Sequence, residues 1–502
     1  MIYPIPQKNE LTGKEILVKS VSLSGEFKKI AEKVFKDYFI PCDGGLSVVF
    51  KYENSKETTY SDETARLTDE KYIITVSENE VIVKASCEKG AFRGAHTLAK
   101  LIAKNELKEG TLIDFPLFKK RGYIEGFYGP TWENGKRLSV MKLMASYGMN
   151  TFYYAPKDDI YHREKWRDLY PENELIQLKN LFKLACENYL DFHWTIGPGL
   201  TYKYTSEEDF TLLINKIRSV YDIGIRNFGL LLDDIPWDFQ YEDDKKAFDS
   251  VVDAHIYLVN KTYNALKDLD DSIKLTVCPT QYSGNCNEYY ITKFGCNIPA
   301  DVDFFWTGAE ICSRVLTVRE ADEFTKSTNH RPLYWDNYPV NDCEMFQEMH
   351  LGALIGRDKE LYKHCEGIIS NVMEFAECSK IPLMTVADFL WNPLAYNSDD
   401  SLKNAHKEIL GNNADSFSLF ADHLCVSCLS RYGSSYMGQL LSKISFLEAN
   451  GKKEESLELL SSYISDMRKC LALVSDTNVP LFDELQKWVR KFSMCCDLLD
   501  DI

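Results

Sequence analysis

The chain has 502 residues, 45% of them apolar and 13% aromatic, which is material for roughly two to four well-packed domains. Its 58 basic and 76 acidic residues give a formal net charge of -18, a field that opposes nucleic acid or an anionic membrane surface as a partner. No apolar run approaches the roughly 18 residues that a membrane span requires.

The opening stretch, Met1 to Glu10, lacks the charged start, apolar stretch and small-residue cleavage site of a secretory signal. The 15 cysteines are scattered and odd in number, which suits free thiols in a reducing compartment, so a cytoplasmic protein is expected, with a secreted form open if the start has been trimmed. Cys425-Val-Ser-Cys428 and the Cys495-Cys496 doublet lack a second CxxC or a spaced histidine pair. No metal and no cofactor is therefore expected.

Residues 1–116 read as a small α/β domain. Lys71–Val76 and Val81–Ala85 flank a polar turn as a hairpin, and Phe92–Ile102 carries apolar positions at helical spacing. Ile113-Asp-Phe-Pro116, followed by Lys119-Lys-Arg121, reads as a linker. From there the chain alternates short apolar runs, ending near Gly126, Tyr154, Ile196, Leu232, Pro279, Trp306, Trp335 and Ser370, with segments of helical pattern such as Leu138–Tyr147 and Ala254–Leu269. Eight such units predict a (β/α)8 TIM barrel over residues 117–397, a fold whose sites lie at the C-terminal ends of its strands. After about Asn397 the composition turns to helical patterns over Tyr436–Phe446, Glu455–Leu473 and Phe482–Leu499, broken at Val479-Pro480. Residues 398–502 are thus expected to be an α-helical domain that braces the barrel. The fold class is α/β.

The stretch from Asn227 to Trp237 organises the rest. An apolar run of strand length ends in Asp233-Asp234-Ile-Pro236, which is how a buried parallel strand delivers carboxylates to the rim of a sheet. Two adjacent anions at an apolar strand end repel each other and are partly desolvated, so one is pushed up and the other can stay low, giving one acid and one base. On this pair alone, a solvated turn closing a strand is an equal reading. Other strand ends carry polar and aromatic clusters: Gly126-Phe-Tyr-Gly-Pro130, Tyr154-Ala-Pro-Lys157-Asp-Asp159, Cys278-Pro-Thr-Gln-Tyr282, Trp306-Thr307-Gly308, Trp335-Asp-Asn337-Tyr-Pro-Val-Asn-Asp342 and Ser370-Asn371. A barrel converges these ends on one pocket. Aromatic faces beside Asn, Asp and Lys suit a sugar, whose ring faces stack while its hydroxyls need acceptors and amide partners.

Arg121–Gly129, Tyr154–Asp159, Leu232–Pro236 and Trp335–Asp342 together resemble glycoside hydrolase family 84, the O-GlcNAcase and bacterial β-N-acetylglucosaminidase family, over about residues 1–400. The resemblance implies a retaining, metal-free exo-hydrolase that removes terminal β-linked N-acetylglucosamine from glycoproteins or oligosaccharides, using the substrate's own acetamido oxygen as nucleophile. By that resemblance Asp233 assists the acetamido group and Asp234 is the general acid, then base. Tyr282 and Asn337 are expected around the acetamido group and Asp233, and Trp335 against its methyl. Asp342, Lys157, Asn371 and the Gly126 carbonyl are expected on sugar hydroxyls, Thr307 among the substrate-binding residues, and Trp391 as a cover over the sugar. The residues favour the same division of labour. Two carboxylates on opposite sides of the anomeric carbon would normally come from separate strands, whereas neighbours suit substrate assistance. A hexosaminidase acting on free cytosolic or wall-derived saccharides and a noncatalytic sugar-binding barrel are the other readings. The aglycone and the oligomeric state have no signature in the sequence.

Overall fold

The structure is a computed structural model and describes residues 2–38, 44–53, 70–431, 433–476 and 480–500. Met1, in the opening stretch, and Val479, in the expected helix break, lie outside the described residues.

The first layer is a six-stranded mixed sheet made of β1 (Lys8–Glu10), β2 (Val21–Gly25), β3 (Leu46–Tyr52), β4 (Tyr72–Val76), β5 (Glu80–Ala85) and β6 (Gly110–Asp114), in the order β1-β6-β4-β5-β3-β2. The expected hairpin is β4–β5, antiparallel with Ile74 opposite Val83, and closed by the Ser77 N–H to the Glu80 carbonyl at 2.9 Å. β5 alternates buried and half-buried residues with the strand period, so one face packs under helix Glu88–Ala103. That helix is buried along most of its length because it also faces the barrel. Its Arg93 and the barrel's Arg121 both grip the buried Glu70 carboxylate, at 2.8 and 2.7 Å. Burial would raise the Glu70 carboxyl, but the two guanidinium groups outweigh it and hold it down at about 2.

The second unit is a closed parallel barrel of β7 (Lys120–Glu125), β8 (Thr151–Tyr154), β9 (Asp191–Ile196), β10 (Asn227–Leu231), β11 (Lys274–Cys278), β12 (Asp303–Trp306), β13 (Pro332–Asp336) and β14 (Gly367–Asn371), with β14 pairing back onto β7. Every strand ends within one residue of the end read from the sequence. Tyr153, Phe305, Leu333 and Ile369 fill the barrel interior, so it is a packed core whose top layer can floor a pocket. Tyr153 stacks on His193 with ring centroids 4.0 Å apart, closing the interior below that layer.

Helix Ala376–Trp391, after the last strand, is buried on all sides. It packs on helix Ser398–Leu410 and on the terminal helix Leu481–Asp500. Glu484 of that terminal helix accepts from the Cys378 backbone N–H at 2.9 Å and from Lys136 at 2.8 Å, which ties the helical region to the barrel wall. Among the described residues, no helix is long and apolar enough to cross a membrane.

Candidate active site

Strand β10 carries its register one residue further, through the Leu232 N–H to the Cys278 carbonyl at 2.8 Å, and Thr280 holds the Leu232 carbonyl at 2.8 Å. The chain then turns, and both following aspartates face the same cavity. Asp233 is 8% exposed, and its Oδ2 accepts from Lys157 Nζ at 2.5 Å. Burial alone would raise this carboxyl; the Lys157 charge and hydrogen bond outweigh it and hold it below the ordinary range. Asp233 in turn outweighs the burial of Lys157 and raises that amine.

Asp234 has a left-handed backbone, φ +51°, which is uncommon outside glycine but accessible to Asp and Asn. Its Oδ1 accepts from the Tyr282 hydroxyl and its Oδ2 from the Tyr128 hydroxyl, both at 2.8 Å. Burial, with Asp234 nearby, raises both phenols, so they stay protonated donors. Arg163 donates to the Tyr128 oxygen and to the Asp234 backbone carbonyl, each at 2.8 Å.

The far wall comes from the loops after β12 to β14. Asn337 is its hub: its Oδ1 accepts from Trp335 Nε1 and Asn371 Nδ2, both at 2.9 Å, and its Nδ2 donates to the Ile311 carbonyl at 2.8 Å. Asn371 also accepts from the Gly126 N–H at 3.2 Å. Only glycine fits at 126, because a Cβ there would lie 2.6 Å from Trp335 Cζ2. Thr307 is buried, donating its N–H to the Tyr282 carbonyl at 2.8 Å and its hydroxyl to the Glu310 carbonyl at 2.8 Å. Asp342 accepts from the Tyr128 N–H at 2.7 Å, and burial raises its carboxyl.

The cavity enclosed by these groups is about 630 Å³. It brings together Gly126, Lys157, Asp233, Asp234, Tyr282, Thr307, Trp335, Asn337, Asp342 and Asn371. Tyr282 stands on Asp234 rather than on Asp233, and Lys157 on the Asp233 carboxylate.

Trp391 is not part of the site, which corrects its expected role as a cover. It ends the buried helix Ala376–Trp391, and its Nε1 donates to Asp114 at the end of β6, at 2.9 Å. Its indole packs over Gly148 and beneath Arg121. These neighbours all belong to the seam between the first sheet and the bottom of the barrel, one helix length from the strand ends.

Tyr128 and Arg163 were missed. Tyr128 lies inside the Gly126–Pro130 cluster but carried no signal separating it from Phe127, which is buried. Arg163 sits in an irregular segment with no spacing that points to the aspartates. Among the described residues, no group of three or more His, Cys, Asp or Glu is placed to hold a metal.

The β-N-acetylglucosaminidase family matches residues 121–422. Protein O-GlcNAcase from Rattus norvegicus is 30% identical over 272 residues, covering 53% of this chain and 29% of that protein, and the Mus musculus protein matches to the same extent. The matched region thus spans less than a third of the length of these curated relatives. Among solved structures, a mutant O-GlcNAc hydrolase from Thermobaculum terrenum superimposes with a TM-score of 0.75 at 34% identity, over 76% of this chain and 83% of that one. CpGH84B superimposes with a TM-score of 0.87 at 29% identity, over 99% of this chain and 90% of that one. With the family match running from the first barrel strand into the helical region, the chain belongs to the β-N-acetylglucosaminidase family, glycoside hydrolase family 84.

Proposed function

We propose that the protein is a retaining exo-β-N-acetylglucosaminidase that removes terminal β-linked N-acetylglucosamine by substrate-assisted catalysis. The observation that carries this reading is the unequal partnering of two adjacent aspartates in one cavity: Asp233 on a cation, Asp234 on two neutral hydroxyls. A binding protein has no use for that asymmetry. An anionic Asp233 accepts the acetamido N–H and so aims the acetamido carbonyl oxygen at C1. As that oxygen bonds to C1, the C1–O bond to the aglycone breaks, and the aglycone oxygen takes the proton of Asp234. The product is an oxazoline-like ring held below the sugar. Asp234, now a carboxylate, takes a proton from water as the water oxygen attacks C1 from the aglycone side, which reopens the ring with retained configuration.

Trp335 and Asn337 support the reading by shaping a rigid wall where the acetamido methyl would lie, the indole locked edge-on to Phe305 at 5.2 Å. Asp342, on the loop after β13, lines the same cavity and in this reading accepts from sugar hydroxyls. The test varies the acetyl group. Replacing its methyl with mono-, di- and trifluoromethyl withdraws electrons from the attacking oxygen, and the rate should fall steeply along the series. A flat series, together with a covalent 2-fluoro sugar adduct on Asp233, refutes the mechanism. Turnover of a glycopeptide against a chitooligosaccharide panel then distinguishes protein-linked from free saccharide substrates.

A further inference from the structure

We infer that Arg163 is a positioning residue for the general acid, acting through the Tyr128 hydroxyl and the Asp234 backbone. This rests on the assignment of Asp234 as the acid. Arg163 lies in the irregular segment after β8 and makes two bonds that converge on Asp234 from different directions. Its Nη1 donates to the Tyr128 oxygen and its Nη2 to the Asp234 carbonyl, both at 2.8 Å.

The first bond decides where the Tyr128 proton points. A phenol oxygen that accepts from a guanidinium turns its own hydrogen to the remaining acceptor, which is Asp234 Oδ2 at 2.8 Å. With Tyr282 donating to Oδ1 at 2.8 Å, the carboxyl plane is fixed by two opposed donors. The second bond holds the carbonyl of a residue whose left-handed φ of +51° has to be sustained by its surroundings. Tyr128 carries the same arrangement across the cavity mouth, since its backbone N–H is fixed by Asp342 at 2.7 Å. Arg163 thus reaches the acid by a side-chain route and a backbone route without touching the sugar's place in the cavity. As Asp234 gives up its proton to the aglycone oxygen, the two hydroxyl donors stay in place to stabilise the carboxylate that forms.

This makes a leaving-group-dependent prediction. Loss of an oriented acid matters for a poor leaving group and little for one that departs unprotonated, a contrast that general fold damage does not produce. Arg163→Ala should lower kcat for an alkyl β-N-acetylglucosaminide by about a hundredfold, with less than about a tenfold loss for a dinitrophenyl glycoside. Arg163→Lys, which can restore one of the two bonds, should recover part of the alkyl activity. Tyr128→Phe removes only the relay hydroxyl and should show the same contrast in weaker form, which keeps the inference testable if Arg163→Ala folds poorly. Asp234→Asn is the reference. If it shows the contrast and the Arg163 and Tyr128 variants lose both activities equally, or change only KM, the inference is overturned and the assignment of Asp234 stands. If Asp234→Asn shows no contrast, that assignment fails and the inference falls with it.

Discussion

Replacing Lys157 with methionine keeps the stem and removes the charge, isolating what the cation does for Asp233. The two side chains are 4% and 8% exposed, with the charged atoms 2.5 Å apart. Burial raises the Asp233 carboxyl and Lys157 more than reverses it, with Arg163 assisting. The variant loses the charge and hydrogen bond of Lys157 and leaves burial, the largest influence, opposed only by the smaller effects of Arg163 and a backbone hydrogen bond. Asp233 must be anionic to accept the acetamido N–H, and the acidic limb of kcat/KM should therefore move to higher pH. Stability follows with a definite sign. In the native protein a depressed carboxyl contributes stability above its unfolded value of about 3.9, and loses it only as the pH falls through the still lower folded value. In the variant the folded value lies above the unfolded one. A penalty then grows by about 1.4 kcal/mol per pH unit from about pH 4 upward, until the folded value is reached, and protonation keeps it within the roughly 3–5 kcal/mol of a broken buried pair. Urea unfolding at about pH 5 and pH 8 should show the variant further below the native protein at the higher pH. An acidic limb that stays put, with equal destabilisation at both pH values, would show that Lys157 does not control the Asp233 proton.

Gly126→Ala places a methyl 2.6 Å from Trp335 Cζ2 and 3.2 Å from Asn371 Oδ1, so the cavity wall has to shift. We expect kcat/KM to fall by about a hundredfold, as small misplacements at a reacting centre do, and a fall below threefold would mean that the wall yields freely. Trp391→Phe removes the 2.9 Å bond to Asp114, a carboxyl that burial pushes up to about 7. Stability should drop by about 1–3 kcal/mol in urea unfolding with KM unchanged, and a raised KM would return Trp391 to the site. Exhaustive chelation should leave activity intact in a continuous aryl-glycoside assay, and activity lost to chelator and restored by a divalent ion would require a metal role.

The barrel was legible because parallel strands buried on both faces leave short apolar runs with sharp polar ends, and each of the eight ends fell within one residue of where the pattern put it. The same pattern gave β9 no candidate, since Ile196 is followed by Gly-Pro-Gly rather than by a polar and aromatic cluster. The helix carrying Trp391 was misjudged for a reason of kind. It is buried on all sides, its charged Glu377, Lys380 and Asp388 included, so no solvent-facing stripe marks which end faces the ligand, and 16 residues of helix carry the indole from the strand ends to the opposite seam. Arg163 and Tyr128 escaped because their roles rest on hydrogen-bond direction across loops. Sequence spacing contains nothing about that.

The aspartate pair itself shows where reading ends and geometry begins. Along an extended strand, successive side chains point to opposite faces, so Asp233 and Asp234 would be separated, one toward the barrel axis and one toward the helices. Both line the cavity because Asp234 leaves the extended conformation for a left-handed one, which redirects its side chain toward Tyr128 and Tyr282. That conformation has a consequence for how the acid is tested. Asparagine visits the left-handed region at least as readily as aspartate, whereas alanine adopts it at a cost of about 1–2 kcal/mol. Asp234→Asn therefore removes the proton donor while keeping the turn, and its losses should scale with the basicity of the leaving group. Asp234→Ala removes the donor and strains the turn, so it should add a loss that is the same for every leaving group, together with a lower unfolding midpoint. Parallel losses for both variants across a leaving-group series, with no difference in stability, would show that the left-handed turn is not what brings the two carboxylates together.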